Sequence, residues 1–196
     1  MTVVTILGSP RKRGNTATVL KEFEALAQPH ATLQRINVVD ANVGGCRGCD
    51  ACQRVADGPS CVQKDDVNRI LSVIMAADMI VYAAPVYVWD FPAQMKALMD
   101  RHYCLIKNTT TPQPTYLLQG KSAVLLATCG GTAEENADVL RIVFRREMSY
   151  LHCHVVGEYI LPLCTLPSEL GTRPYEMARR MIQDLFPAGV IQAQPK

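Results

Sequence analysis

Four cysteines lie close together in the first third of the chain, at Cys46, Cys49, Cys52 and Cys61. The first three follow one another with two residues between them. This spacing is typical of [4Fe–4S] ligation, because a tight loop can bring its thiolates to successive corners of one cluster. Zinc sites usually separate their cysteine pairs by a longer segment, and a two-cysteine redox site would leave two thiols unexplained. The residues alone leave three roles open for these cysteines: ligands of an iron–sulfur cluster, free structural or redox-active thiols, and zinc ligands.

A polar loop over residues 8–16 forms a second candidate site. It follows the apolar run Val3–Leu7 and precedes a helical pattern, so the free amides and the dipole of a helix N-terminus face the loop and favour an anion. Its spacing fits neither the dinucleotide fingerprint nor the phosphate loop that ends in Gly-Lys-Ser/Thr. Its short polar side chains favour a terminal monophosphate, and the alternative is an ordinary solvated turn.

Two more loops are candidates for ligand contact. The segment 84–92 carries the only tryptophan, Trp89, together with Tyr87, directly after the most apolar strand pattern. Such a loop can flank a flat aromatic ligand, although these two side chains could also only cover the core. The segment 128–131 has two glycines that let a backbone approach a ligand closely, or that form a plain turn.

The elements that must position these loops follow an alternating strand and helix pattern. The strands are predicted over 2–7, 33–39, 79–83, 123–128 and 154–161, and the helices over 15–28, after 65–66, after 90, over 133–150 and after 172. Residues 104–120 are predicted as an excursion loop. The order predicts an α/β fold with a doubly wound five-stranded parallel sheet in three α/β/α layers. Ligands bind at the carboxyl ends of such strands, so the three loops should converge on one site.

Composition narrows the class of protein. The 196 residues are predicted to form a single domain over 1–196, with a cysteine-rich loop at 44–66. A net charge of +2 gives no reason to expect nucleic acid or a membrane surface as partner. The eight cysteines, in a chain without a signal-peptide pattern, predict a cytoplasmic location with reduced thiols. Four scattered thiols are predicted to be structural: Cys104, Cys129, Cys153 and Cys164. For Cys129 a role in ligand binding stays open as well, because it lies in the candidate loop 128–131.

Two motifs carry a family resemblance. They are Gly-Ser-Pro-Arg-x-x-Gly-Asn-Thr at 8–16 and Ala-Pro-Val-Tyr-x-x-x-x-Pro-Ala-Gln-Met-Lys-x-x-x-Asp-Arg at 84–101. Both resemble motifs of the NADPH-dependent FMN reductase family of flavodoxin-like proteins. The cysteine loop resembles that of the iron–sulfur flavoprotein branch, where four cysteines carry a [4Fe–4S] cluster beside FMN. The eight residues between Cys52 and Cys61 are a longer gap than is usual there.

The resemblance implies a set of FMN contacts. The phosphate is expected at Ser9, Arg11, Gly14, Asn15 and Thr16, the isoalloxazine between Pro85, Val86, Tyr87, Val88 and Trp89, and the closing backbone at Thr128, Gly130 and Gly131. The resemblance assigns the cluster ligands to Cys46, Cys49, Cys52 and Cys61.

The resemblance also implies the activity. It indicates an FMN-dependent oxidoreductase of the NAD(P)H:FMN/quinone reductase type, which passes electrons to a small molecule or a protein and has no dedicated acid or base. The alternatives are an iron–sulfur electron carrier that exchanges electrons with a carrier such as ferredoxin, and a non-enzymatic cysteine-based redox sensor. A homodimer or homotetramer is expected.

Overall fold

The computed structural model describes residues 1–55 and 57–187, and its main sheet has five parallel strands. The strands of this sheet are β1 Thr2–Leu7, β2 Thr32–Asn37, β3 Met79–Pro85, β6 Ser122–Thr128 and β7 His154–Leu161. They lie in the order β2-β1-β3-β6-β7, and β4 and β5 form a separate pair. The order reverses between β1 and β3, the position at which doubly wound sheets bind ligands.

Helices cover both faces of this sheet. One face carries α1 (Asn15–Ala27) and α6 (Arg173–Leu185). The opposite face carries α2 (Val67–Ala76), α3 (Ala93–Asp100) and α5 (Asp138–Tyr150), and the short helix α4 (Ala133–Asn136) precedes α5. The result is the predicted three-layer α/β/α arrangement.

The central strand β3 shows why the sheet is buried on both sides. Ile80 and Tyr82 pack into the core under α2, α3 and α5, while Val81 and Ala83 pack under α1 and α6. A continuous apolar run is what a parallel strand covered on both faces requires. The doubly wound five-stranded fold predicted from the sequence is therefore confirmed.

Three predicted segments differ in detail. The prediction of one continuous helix over 133–150 is wrong, because Ala137 takes φ −113° and ψ 0° and separates α4 from α5. The strand predicted to reach residue 39 ends at Asn37, since Val38–Asp40 form a 3₁₀ turn. The predicted excursion loop contains a small antiparallel pair, β4 (Ile106–Lys107) with β5 (Thr115–Tyr116).

Residue 56 of the predicted cysteine-rich loop and residues 188–196 of the predicted single domain lie outside the described residues. The single domain itself stays a prediction. No helix in the described ranges combines the length and the apolar character needed to cross a membrane.

Candidate functional site

A cleft of about 680 Å³ opens at the carboxyl ends of β1, β3, β6 and β7. This volume falls within the usual range for sites that bind small molecules and cofactors. The cleft is lined by Ser9, Pro10, Arg11, Lys12, Arg13, Gly14, Asn15, Thr16, Pro85, Val86, Tyr87, Thr128, Cys129, Gly130, Cys164, Thr165, Leu166 and Pro167. The three loops that are predicted from the sequence to converge therefore do meet, in this cleft.

The first loop is folded by its own hydrogen bonds. The backbone N–H of Arg11 donates to Ser9 Oγ at 3.1 Å, and the N–H of Gly14 donates to the Arg11 carbonyl at 3.0 Å. Gly14 is the N-cap of α1, so the amides of the helix's first turn face the cleft. These amides and the helix dipole make this end of the cleft attractive to an anion.

A buried hydroxyl pair joins the first loop to the third. Thr16 Oγ1 and Thr128 Oγ1 are 2.7 Å apart, and their residues are 1% and 3% exposed. The pair connects the first turn of α1 to the end of β6, two elements that are distant in sequence. It therefore fixes the width of the cleft at its base.

Asn15 offers the cleft an unused acceptor. Its amide Nδ2 donates to the Thr165 carbonyl at 2.9 Å. Its Oδ1 is buried and receives no hydrogen bond within the described part of the chain. A buried polar atom without a partner costs free energy, so a ligand with a suitably placed donor would bind here favourably.

Basic side chains line the rim beside the first loop. Arg11, Lys12 and Arg13 are all exposed. Lys12 Nζ lies 2.6 Å from Asp40 Oδ1, and this hydrogen bond lowers the pKa of the Asp40 carboxyl. Because Asp40 offsets only one of the three charges nearby, the rim remains attractive to an anionic ligand.

The second loop turns sharply after β3. Tyr87 and Asp90 exchange two backbone hydrogen bonds of 2.9 and 3.1 Å, which leaves Val88 and Trp89 at the two central positions of the turn. Both central residues have positive φ, 52° and 62°, a backbone that ordinarily selects Asn and Gly. Trp89 Nε1 donates to the Glu135 carbonyl at 3.0 Å, so the turn is held against α4.

Three of the residues expected to contact FMN lie outside the cleft lining. Val88 is 85% exposed and Trp89 is 52% exposed. Gly131 hydrogen-bonds within the protein, since its N–H donates to Asn136 Oδ1 and its carbonyl accepts from Leu163 N. Their contact with a flavin stays a prediction.

A fourth segment of the cleft, residues 164–167 after β7, was not predicted from the sequence. The signal was available, because this segment also follows the carboxyl end of a parallel strand. Two thiols predicted to be structural, Cys129 and Cys164, line the cleft as well. Burial raises the pKa of Cys129 to about 11, so it is a neutral thiol at neutral pH and a poor nucleophile.

The cysteine loop divides its four cysteines into two pairs. Cys46 and Cys49 are exposed, and the N–H of Gly48 donates to Cys46 Sγ at 3.4 Å. Cys52 is buried and Cys61 is partly buried against the core. Within residues 1–55 and 57–187, no three His, Cys, Asp or Glu side chains are grouped as they would be around a metal ion. The assignment of these four cysteines as cluster ligands stays a prediction.

Two buried cations anchor this loop to the core. The Arg101 guanidinium donates to both carboxylate oxygens of Asp65, at 2.8 and 3.2 Å, and to the Gly44 carbonyl at 2.7 Å. Lys107 Nζ donates to the Cys52 carbonyl at 3.0 Å. Both side chains are 1% exposed, so the inner part of the loop is fixed by interactions that solvent does not weaken.

Arg101 also affects two ionisable neighbours. Burial opposes ionisation of Asp65, but the hydrogen bonds from Arg101 and from two backbone amides outweigh it and lower the pKa of this carboxyl. Burial likewise opposes ionisation of Cys61. A backbone N–H at Gln63 and the charge of Arg101 outweigh that effect, and the pKa of the thiol is lowered.

Residues 1–165 of the chain match the model of a family described as NADPH-dependent FMN reductase. An iron–sulfur flavoprotein of Methanocaldococcus jannaschii is 37% identical over 102 residues, which are 52% of this chain and 51% of that protein. The chain thus spans about half the length of this curated relative.

Two solved structures share the fold. An FMN-dependent NADH-azoreductase of Bacillus anthracis, solved in complex with FMN, has a TM-score of 0.70 at 17% identity and covers 94% of this chain and 99% of its own. An NAD(P)H:quinone oxidoreductase of Methanothermobacter marburgensis has a TM-score of 0.68 at 19% identity and covers 94% and 98%. At these identities the likeness establishes the fold alone.

Proposed function

Because the chain belongs to the NADPH-dependent FMN reductase family, we propose that it is an FMN-dependent oxidoreductase that takes electrons from NAD(P)H and passes them to a quinone or flavin acceptor. The predicted membership of this family is confirmed, since its model matches residues 1–165. The observation that carries the proposal is the cleft itself. One of its ends is an anion site at a helix N-terminus, and its opposite wall is an aromatic loop at the end of β3.

The phosphate end of FMN fits the first loop. Ser9 and Thr16 supply hydroxyl groups, the first turn of α1 supplies amides, and Arg11 supplies charge at the rim. The free Oδ1 of Asn15 suits a hydroxyl donor, as a ribityl chain would provide. These groups hold an anionic, polyhydroxylated ligand in one orientation.

The isoalloxazine end fits the second and third loops. Pro85, Val86 and Tyr87 form an apolar and aromatic wall, and Gly130 leaves room for a close approach of the backbone. Bound FMN would supply the hydride and electron transfer chemistry. The protein positions the ring and limits its contact with water.

A second candidate function is that of an iron–sulfur electron carrier, which the name of the curated relative favours. Cys46, Cys49, Cys52 and Cys61 would be the ligands. Their present arrangement does not gather the four thiols, so we derive no electron path through a cluster. Iron and acid-labile sulfide, measured per chain after anaerobic purification, distinguish the two functions.

We propose a homodimer or homotetramer whose subunits meet near the mouth of the cleft. Exposed apolar side chains there, Val88, Leu163 and Leu166, support this assignment. Light scattering coupled to size exclusion measures the assembly. The cytoplasmic location stays a prediction.

The activity is tested by steady-state oxidation of NADH and NADPH by the FMN-saturated chain, with a soluble quinone or free FMN as acceptor. The chain without added FMN is the control, and a parallel reaction offers reduced ferredoxin in place of the nucleotide. Catalytic turnover of a nucleotide supports the reductase. Turnover with ferredoxin alone supports the electron carrier, and turnover with neither donor contradicts both functions.

A further inference from the structure

Helix α5 has two rows of side chains that point in nearly opposite directions. The inner row is buried in the core and consists of Leu140, Phe144 and Met148. The outer row is exposed and consists of Asp138, Ile142, Arg146 and Tyr150. Residues four apart lie on one face of a helix, and an offset of two positions rotates a row by about 200°. The outer row therefore forms the solvent face of α5.

Exposed apolar side chains are concentrated on this helix. Among the described residues, the large apolar or aromatic side chains that are exposed in α-helices are Val139, Ile142 and Tyr150 of α5 and Tyr175 of α6. Ile142 is 47% exposed and Val139 is 43% exposed. Single exposed apolar residues are ordinary, whereas a group of them on one face is typical of a surface that binds another protein.

The charges of the outer row are separated along the helix. Asp138 lies in the first turn of α5, and Arg146 lies eight residues later, about 12 Å along the axis. Within the described part of the chain, neither side chain takes part in an ion pair. Arg141 and Arg145 differ from Arg146 in this respect, because both bind Glu158 of β7. The outer row thus presents an acid, an apolar residue and a base in that order.

The helix dipole accounts for only part of this pattern. An acid in the first turn interacts favourably with the dipole, as does a base in the last turn. Asp138 meets this condition, but the last turn of α5 contains no basic residue. The dipole also gives no role to the exposed Ile142, so the outer row as a whole has no explanation within one chain.

We propose that a second copy of this chain packs antiparallel on α5, with a two-fold axis at Ile142. A two-fold axis makes the contact reciprocal: if one residue faces another across the interface, the second also faces the first. Ile142 then meets Ile142 of the second copy, and Asp138 of each copy meets Arg146 of the other. Rows of residues four apart are also the ridges that most often interlock when helices pack.

The same symmetry extends the contact toward the cleft. Tyr150 of the second copy lies opposite α4, whose Glu135 carbonyl accepts the hydrogen bond from Trp89. The contact therefore reaches the turn that follows β3. It adds a surface to the assembly proposed above. Since it requires no flavin, it stands or fails independently of the proposed activity.

The test uses two charge reversals in the full chain, Asp138→Arg and Arg146→Asp. Each one places like charges at both ion-pair positions, so each variant should have half the mass of the wild-type assembly in size exclusion with light scattering. Mixed in equal amounts, the two variants should assemble with each other, because one copy then presents bases at both positions and the other presents acids. Native mass spectrometry, with an affinity tag on one variant, identifies the mixed pair.

The mixed pair distinguishes a contact between copies from a role within one chain. The helix dipole acts inside each chain, so mixing cannot restore an effect that depends on the dipole. A wild-type chain that runs at the 21.6 kDa of one copy would overturn the proposal. A single reversal that keeps the wild-type mass, or two variants that do not pair when mixed, would also overturn it. Both substituted side chains are exposed, and circular dichroism verifies that the variants fold.

A second pair of variants tests the apolar centre of the contact. Ile142→Lys places two like charges at the axis, so we expect the mass of the assembly to halve. Tyr175→Lys is the matched control, because Tyr175 is 46% exposed and lies in α6, on the other face of the sheet. Loss of the assembly in this control, or a wild-type mass for Ile142→Lys, would contradict a contact centred on α5.

Discussion

Replacing Thr16 with Val tests the anion end of the cleft while it leaves the shape of the side chain almost unchanged. The substitution removes the hydroxyl that lies 2.7 Å from Thr128 Oγ1, and this oxygen then remains buried without that partner. Leaving one buried hydroxyl unsatisfied lowers the free energy of unfolding by about 1–3 kcal/mol. No cavity forms, because Val and Thr have nearly the same volume.

The same change should weaken FMN binding through the phosphate. A hydrogen bond to a charged group contributes about 1.5–3 kcal/mol, so the Kd for FMN is expected to rise roughly 10- to 100-fold. Riboflavin lacks the phosphate, and its Kd should change less than about threefold. The difference between the two ligands isolates the phosphate contact from any general weakening of the cleft.

Quenching of the single tryptophan, Trp89, provides a binding assay for both ligands. Thr18→Val is the matched control, since Thr18 lies in the same helix and its hydroxyl only donates to the Gly14 carbonyl at 3.1 Å. Thr16→Ser should restore most of the affinity. Equal losses for FMN and riboflavin, or an unchanged Kd for FMN in Thr16→Val, would refute the assignment of the phosphate site.

Three further predictions concern stability and loop geometry. Arg101→Met leaves Asp65 buried without its cation, so the free energy of unfolding in urea should fall by about 3–5 kcal/mol, and a loss below about 1 kcal/mol would contradict a desolvated pair. The pKa of Asp65 is lowered from 3.8 in the folded state, so the stability that its carboxylate contributes is present above pH 3.8 and is lost as the pH falls further. In urea unfolding at a series of pH values, the free energy of unfolding of Arg101→Met should therefore depend less on pH in this range than that of the wild type. Gly8→Ala places a Cβ 2.7 Å from Met95 Cβ, and the resulting overpacking should lower the free energy of unfolding by about 1–3 kcal/mol and raise the Kd for FMN. A free energy of unfolding and a Kd equal to those of the wild type would show that α3 shifts without cost. Val88→Asn introduces a residue that tolerates positive φ at a position whose side chain is 85% exposed, so the free energy of unfolding, measured by thermal unfolding, should rise by about 1 kcal/mol. The same substitution at the exposed loop residue Val62 is the control and should give no such rise.

Much of the fold could be predicted because its signals are local. The apolar run of β3 and the helical spacing of α2 each lie within about ten residues, and parallel strands must place their carboxyl ends at one edge of the sheet. The convergence of the loops that contain Ser9, Pro85 and Thr128 follows from that rule alone. The same rule, applied to β7, would also have identified the missed segment at Cys164.

What could not be predicted depends on contacts between distant residues. The buried ion pair of Arg101 with Asp65 arises because the turn after α3 packs against the segment before α2, and no spacing in the sequence encodes that contact. The positive φ of Val88 and Trp89 was also hidden, because both residue types disfavour this backbone and hydrogen bonds between their neighbours impose it. The division of the helix at Ala137 likewise has no signal in the residue itself, since Ala is the strongest helix former.

An anaerobic titration of the FMN-reconstituted chain with NADH and with NADPH, followed by the visible absorbance of the flavin, tests the proposed activity most directly. We expect about one FMN per chain and complete loss of the oxidised flavin spectrum with at least one of the two nucleotides. A chain that retains no FMN after reconstitution, or a bound flavin that neither nucleotide reduces, would contradict an FMN-dependent oxidoreductase.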